Sequence, residues 1–188
     1  MAKSENICPP ARLSAVLATA NDNVGRALGE LDALLADYPR DARLHFLKGS
    51  FQAGAGDFAA ARVAMRHAVD LQPDFAVARF QLGFLLLTSG EPIAAQEAWG
   101  PLHSLPDGHH LRFFVDGLTH LIGNQFSDAI RCLEEGMVRN TENPPMNKDM
   151  QRIIDEIRAR KLESEGGSTA PSAVDFLLQQ SIIKSTRH

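Results

Sequence analysis

The side chains best equipped for chemistry in this 188-residue chain are seven histidines and two cysteines. His109 and His110 are adjacent and follow Asp107, a grouping that reads either as the edge of a metal site or as an ordinary solvated loop. His120 and Cys132 lie four residues before and eight after Asn124, so a helical hairpin turning there would bring them together. A structural zinc takes four ligands, and no third or fourth accompanies this pair, which favours a polar neighbour to the core. Cys8 and Cys132 could form at most one bridge, and their separation fits neither a disulfide framework nor a zinc motif, which points to a reducing compartment. The chain has no Gly-rich phosphate loop, nucleophile elbow, metalloprotease helix motif or paired-cysteine site. The expectation is no catalytic residue, no metal and no cofactor. A metal-dependent enzyme built on His109, His110 or His120 stands last among the functional readings.

Composition narrows the partners. Nineteen Lys and Arg against 23 Asp and Glu leave a net charge of -4, without the basic excess that binding a phosphate backbone needs. No nucleic-acid partner is expected. The most apolar stretch, Phe84 to Leu87, is broken by Thr88, Ser89 and Gly90, far short of the roughly 20 residues that span a bilayer. The segment 11–20 ends like a signal sequence, but Arg12 interrupts it and Pro9-Pro10 precede it. These features predict a cytoplasmic protein with no membrane insertion.

What positions the side chains is a repeat. Gly49, Gly83 and Gly117 fall 34 residues apart, with Ala15 in the same column one period earlier. Ala27, Ala61, Ala95 and Ala129 share the period, as do Leu31, Met65, Trp99 and Leu133, and Val24, Phe58, Pro92 and Phe126. A turn column reads Asp22, Gly56, Gly90 and Asn124, all residues that tolerate a left-handed backbone. Pro39, Pro73 and, one residue early, Pro106 punctuate the ends. Four units follow: 8–41, 42–75, 76–109 and 110–143, preceded by an extension, 1–7.

On these columns the chain resembles the tetratricopeptide repeat (TPR) family, whose 34-residue unit is a helix, a turn and an antiparallel helix. Gly49, Gly56, Phe58, Ala61, Met65, Ala68 and Pro73 supply the family's pattern in the second unit. Ser14, Lys48 and Asp116 depart from it at the seventh position, and Ala18, Gln52 and His120 at the eleventh. The first unit, opening on Cys8-Pro9-Pro10, is the least typical, as suits a terminal repeat. The resemblance implies an all-α fold, a right-handed α-α superhelix of about four helical hairpins.

After Pro144-Pro145, residues 147–162 place Met150, Ile153, Ile154 and Ile157 on one face and charges on the other, the pattern of a helix that caps an array. Residues 165–171 read as a linker. The tail, 172–188, crowds Val174, Phe176, Leu177, Leu178, Ile182 and Ile183 into ten residues, which predicts a partner that covers them.

Phe46, Phe80 and Phe114 form one more column, on the first helix of three units. In the TPR family the first helices line the concave face. The resemblance then implies a groove of Arg43, Phe46, Val77, Phe80, Phe84, Leu87, Leu111, Phe114, Leu118 and Leu121. The opposite reading rotates the first helices, so that the Phe column enters the core while His45, Lys48, Gln52, Arg79, Asp116 and His120 face solvent. The carboxylate clamp of some TPR adaptors is absent, because its positions hold Arg12, Phe46, Phe80 and Phe114, and Val16, Ser50, Phe84 and Leu118. The function expected is a non-enzymatic protein–protein interaction module that holds an apolar or amphipathic segment. That segment is a partner protein's or the chain's own Phe176, Leu177, Leu178, Ile182 and Ile183, docked in cis or exchanged in a homodimer. A secretion-type TPR chaperone for an aggregation-prone client is the alternative.

Overall fold

The computed structural model describes residues 7–165; the expected linker beyond residue 165 and the apolar tail lie outside the described residues. Within them the chain is helical throughout: α1 Pro10–Asp22, α2 Val24–Asp37, α3 Ala42–Gly54, α4 Phe58–Leu71, α5 Ala76–Thr88, α6 Pro92–Trp99, a 3-10 segment Gly100–Ser104, α7 His110–Ile122, α8 Phe126–Arg139 and α9 Pro144–Glu165. The chain divides into two compact units, Met1–Leu85 and Leu86–His188, with the boundary inside α5.

The second helices begin at Val24, Phe58, Pro92 and Phe126, a constant interval of 34 residues. Asn23 and Asp57 start α2 and α4 by accepting, through Oδ1, the backbone N–H of Arg26 at 2.9 Å and of Ala60 at 3.0 Å. These bonds occupy two of the donors a helix start leaves unpaired. The turn column is left-handed where expected at Gly56 (φ 86°), Gly90 (φ 82°) and Asn124 (φ 57°). The first repeat differs. There α1 runs through Asp22 and a single extended residue, Asn23 (φ -155°), joins it to α2, so no left-handed residue is needed.

The small-residue columns meet where they should in the second and fourth repeats. A Cβ added at Gly49 would lie 3.0 Å from the Ala61 carbonyl oxygen and 2.9 Å from Met65 Cγ. One at Gly117 would lie 3.1 Å from the Ala129 carbonyl oxygen and 2.8 Å from Leu133 Cγ and Cδ2. Backbone therefore lies against backbone, and the large residue one turn further along the second helix closes over the glycine. In the first repeat the register shifts, because α1 starts at Pro10, two residues later than the 34-residue interval from α3 requires. Ala15 is exposed as a result, and Val16 enters the core with Cys8, Ala27, Leu31, Leu34 and Leu44.

The third repeat carries a second irregularity: its second helix stays α-helical only to Trp99 and tightens to 3-10 at Gly100. Pro101 has no N–H to donate and its ring crowds the carbonyl four residues back. The closing helix spans Pro144–Glu165, three residues longer at each end than the expected 147–162. Pro144 and Pro145 start it instead of breaking the chain, since a first turn lacks partners for its N–H groups in any case. Met146, Met150, Ile153, Ile154 and Ile157 are buried, and α9 packs on α8. The corner between them is held by Asn140, a buried side chain whose Nδ2 donates to the Asn143 carbonyl at 2.8 Å and to Asn147 Oδ1 at 2.7 Å. Its Oδ1 accepts the Asn143 N–H at 3.0 Å.

Two glycine substitutions should move stability in opposite directions. At Gly136 an added Cβ would sit 2.5 Å from Cδ1 and Cε1 of the buried Phe114 ring, so Gly136→Ala should destabilise by about 1 kcal/mol or more despite its better helix propensity. At Gly29, mid-helix in α2 with nothing within 4 Å, Gly29→Ala should stabilise by about 0.5–1 kcal/mol. Urea denaturation of both variants checks the pair; equal shifts would contradict the packing described.

Candidate functional site

The first helices are built one repeat at a time, and their N-terminal residues do the anchoring. Asp41, buried before α3, accepts the Cys8 N–H at 2.9 Å and, through its other oxygen, the Arg43 N–H at 3.0 Å. The Arg43 guanidinium closes the set, donating Nε to Oδ1 at 2.9 Å and Nη2 to Oδ2 at 2.6 Å and to the Cys8 carbonyl at 2.7 Å. Arg43, expected at the margin of a groove, is thus a clasp between the start of the first repeat and the start of α3. Burial pushes the Asp41 carboxyl up, but the Arg43 and Cys8 hydrogen bonds outweigh it and hold the pKa below the ordinary value.

A second device recurs at the repeat junctions. His45 Nε2 lies 3.0 Å from the Pro39 carbonyl, and Arg79 donates Nε and Nη2 to the Pro73 carbonyl at 3.1 and 2.7 Å. Arg112 donates to the Leu105 carbonyl at 2.9 Å and pairs with Asp107. The junction with Pro106 one residue early recruits a cation also one residue early. Each strap satisfies a carbonyl at a helix end that has no partner within its own helix. The regular spacing of His45 and Arg79, each six residues after Pro39 and Pro73, carried this signal in the sequence.

The apolar first-helix residues divide by exposure. In the first unit Phe46, Val77 and Phe84 are half-buried, while Phe80 is buried. Phe46 tilts against Phe75 with ring centroids 5.1 Å apart, and Phe80 and Phe84 are nearly parallel at 6.3 Å. In the second unit Leu87, Leu111, Phe114, Leu118 and Leu121 are all buried, and Phe114 fits over Gly136. These five offer no free surface as they stand. The polar set of the rotated reading is half-buried as well: His45, Lys48, Gln52, Arg79, Asp116 and His120. Neither simple picture describes a first helix packed on more than one side. In the first unit, α3 touches both α2 and α4.

The candidate chemical groups are committed elsewhere. His110 is buried at the first position of α7, not in a loop, and His109 caps that helix. His120 Nδ1 lies 2.6 Å from Gln125 Oε1 across the α7–α8 turn. Both thiols are free and buried, and burial pushes the pKa of each up, away from the reactive thiolate. Among the described residues no three His, Cys, Asp or Glu side chains converge to hold a metal ion. No helix among them is long and apolar enough to cross a membrane.

No family model matches the chain, and no curated protein matches it. Solved structures do. MamA 41-end from Desulfovibrio magneticus RS-1 matches with a TM-score of 0.59 at 13% identity, covering 95% of this chain and 97% of that one. The MamA RS-1 ArsTM double mutant matches with a TM-score of 0.58 at the same identity and coverage. MamA contains tetratricopeptide repeats. This chain has a TPR-like helical-repeat fold. At this identity the likeness speaks for the fold, and the side chains must speak for the function.

The Asp41 clasp has a pH signature. A carboxyl whose folded pKa is lowered contributes stability that is present above its unfolded pKa, about 3.9, and lost as pH falls through the folded value. Asp41→Asn should therefore lower the melting temperature at pH 7 and narrow its gap to the native chain as pH falls below about 4. A gap that stays constant down to pH 2.5 would remove the carboxylate from the account.

Proposed function

We propose that this protein is a non-enzymatic protein–protein interaction scaffold that holds an apolar or amphipathic polypeptide segment against the first-helix face of its first unit. The supporting observation is the half-buried set Phe46, Phe75, Val77 and Phe84. Aromatic side chains left partly in water on a repeat scaffold are the usual anchors of a peptide interface, and burying one on binding is worth on the order of 2 kcal/mol. The first-helix residues beyond Leu85 contribute differently. Leu87, Leu111, Phe114, Leu118 and Leu121 stiffen their own unit and would reach a ligand only if that unit opened.

One candidate ligand is written into the chain. Phe176, Leu177, Leu178, Ile182 and Ile183 give residues 172–184 the apolar content such a surface needs, in cis or exchanged between two copies. A partner's amphipathic helix would use the same contacts.

A labelled peptide of residues 172–184, titrated by fluorescence anisotropy against a chain ending at residue 164, tests this reading. Saturable binding is expected, and Phe46→Glu together with Phe84→Glu should weaken it at least tenfold while the far-UV circular dichroism stays helical. Binding unaffected by the pair would move the site away from this face. No binding by either chain would remove the tail as ligand.

A further inference from the structure

The two histidines that begin α7 are held in place by neutral-imidazole contacts. His109 is the N-cap, and its Nδ1 accepts the Leu111 N–H at 3.2 Å. An imidazole accepts a hydrogen bond only through a nitrogen without a proton, so this cap exists only while Nδ1 is unprotonated. His110 stacks on it with centroids 4.6 Å apart and 25° between planes. It also meets Phe114 edge-on at 5.9 Å and is only 8% exposed.

The surrounding charges do little to invite one. Arg139 of α8 stands over Phe113, with its guanidinium carbon 4.8 Å from the ring centroid, and its Nη1 would be 3.7 Å from a Cβ at Gly108. It is paired with Glu135. Asp107 is engaged by Arg112. Further along α7, Asp116 faces His103 of the 3-10 segment at 3.8 Å. Burial lowers the His110 pKa below its ordinary value, His109 lowers it further, and Glu142, in the connection to α9, acts in the opposite direction.

A proton on His109 Nδ1 removes the cap and sets a positive charge on the end of a helix that already carries positive partial charge. A proton on His110 sets a charge against Phe114 and a neighbouring imidazole. We propose that the His109–His110 pair is an acid-operated latch: neutral, it fastens the first turn of α7; protonated, it frees that turn and uncovers Leu111 and Phe114. A histidine whose folded pKa is lowered contributes stability that is complete above the unfolded value, about 6.5, and declines as pH falls toward the folded one. The latch is therefore shut at neutral pH and opens in mild acid.

Hydrogen exchange at residues 111–114, corrected for the intrinsic pH dependence of exchange, and uptake of a hydrophobic dye are measured on the full chain at pH 7.5 and 5.0. The native chain should exchange at least tenfold faster at these amides at pH 5.0 and take up more dye. His109→Asp keeps a cap that stays ionised at both pH values, and with His110→Phe it should abolish the acid response. If the double substitution fails to fold, His109→Asp alone should at least halve that response. His103→Gln and His120→Gln should leave it unchanged. An acid response as large in the His109→Asp chain as in the native one, or none in the native chain, overturns the latch.

Discussion

The fold depends on how closely a first helix can approach the second helix of its own repeat. At Gly49 and Gly117 the distance is set by a carbonyl oxygen, of Ala61 and Ala129 respectively, that an added Cβ would meet at 3.0 and 3.1 Å. Glycine on one side and alanine on the other bring the backbones together, and Met65 or Leu133 then closes over the glycine. Once this contact is fixed, so is the rotation of the first helix about its axis. That rotation decides which of its side chains are sealed and which stay near water.

Much of this was legible because it is periodic. The interval of 34 residues located the second helices, and the left-handed residues at Gly56, Gly90 and Asn124 followed from turn chemistry alone. What the columns could not carry were departures that depend on neighbours. The later start of α1 follows from Pro10 at its first turn, and it exchanges Ala15 for Val16 in the core. The burial of Phe114 depends on Gly136, a residue 22 positions away whose role is visible only once the helices are paired. Asn140, Asn143 and Asn147 belong to no column of the repeat, yet they satisfy one another and the end of α8 at the corner with α9.

The same close approach bears on the aromatic column. Phe46 and Phe114 occupy equivalent positions on their first helices, and Gly136 leaves room on α8 for the Phe114 ring. Phe46 stays half-buried and leans on Phe75, while Phe114 is enclosed.

The residue just before each first helix shows the converse. Asp41, Phe75 and His109 are spaced by 34 residues, and the packing columns around them are nearly uniform, yet the three have different chemistry. Asp41 caps α3 with a carboxylate whose pKa the Arg43 and Cys8 hydrogen bonds hold below its ordinary value against the opposing effect of burial. Phe75 contributes a ring to Phe46. His109 caps α7 with an imidazole, an acceptor only while it is unprotonated. A cap contributes about 1 kcal/mol wherever it stands, but the acid that titrates it determines when that contribution is withdrawn. Carboxylate and imidazole are separated by more than two pH units in their ordinary pKa values. The repeat supplies a common frame, and this column sets a different chemistry at the start of each of these three first helices.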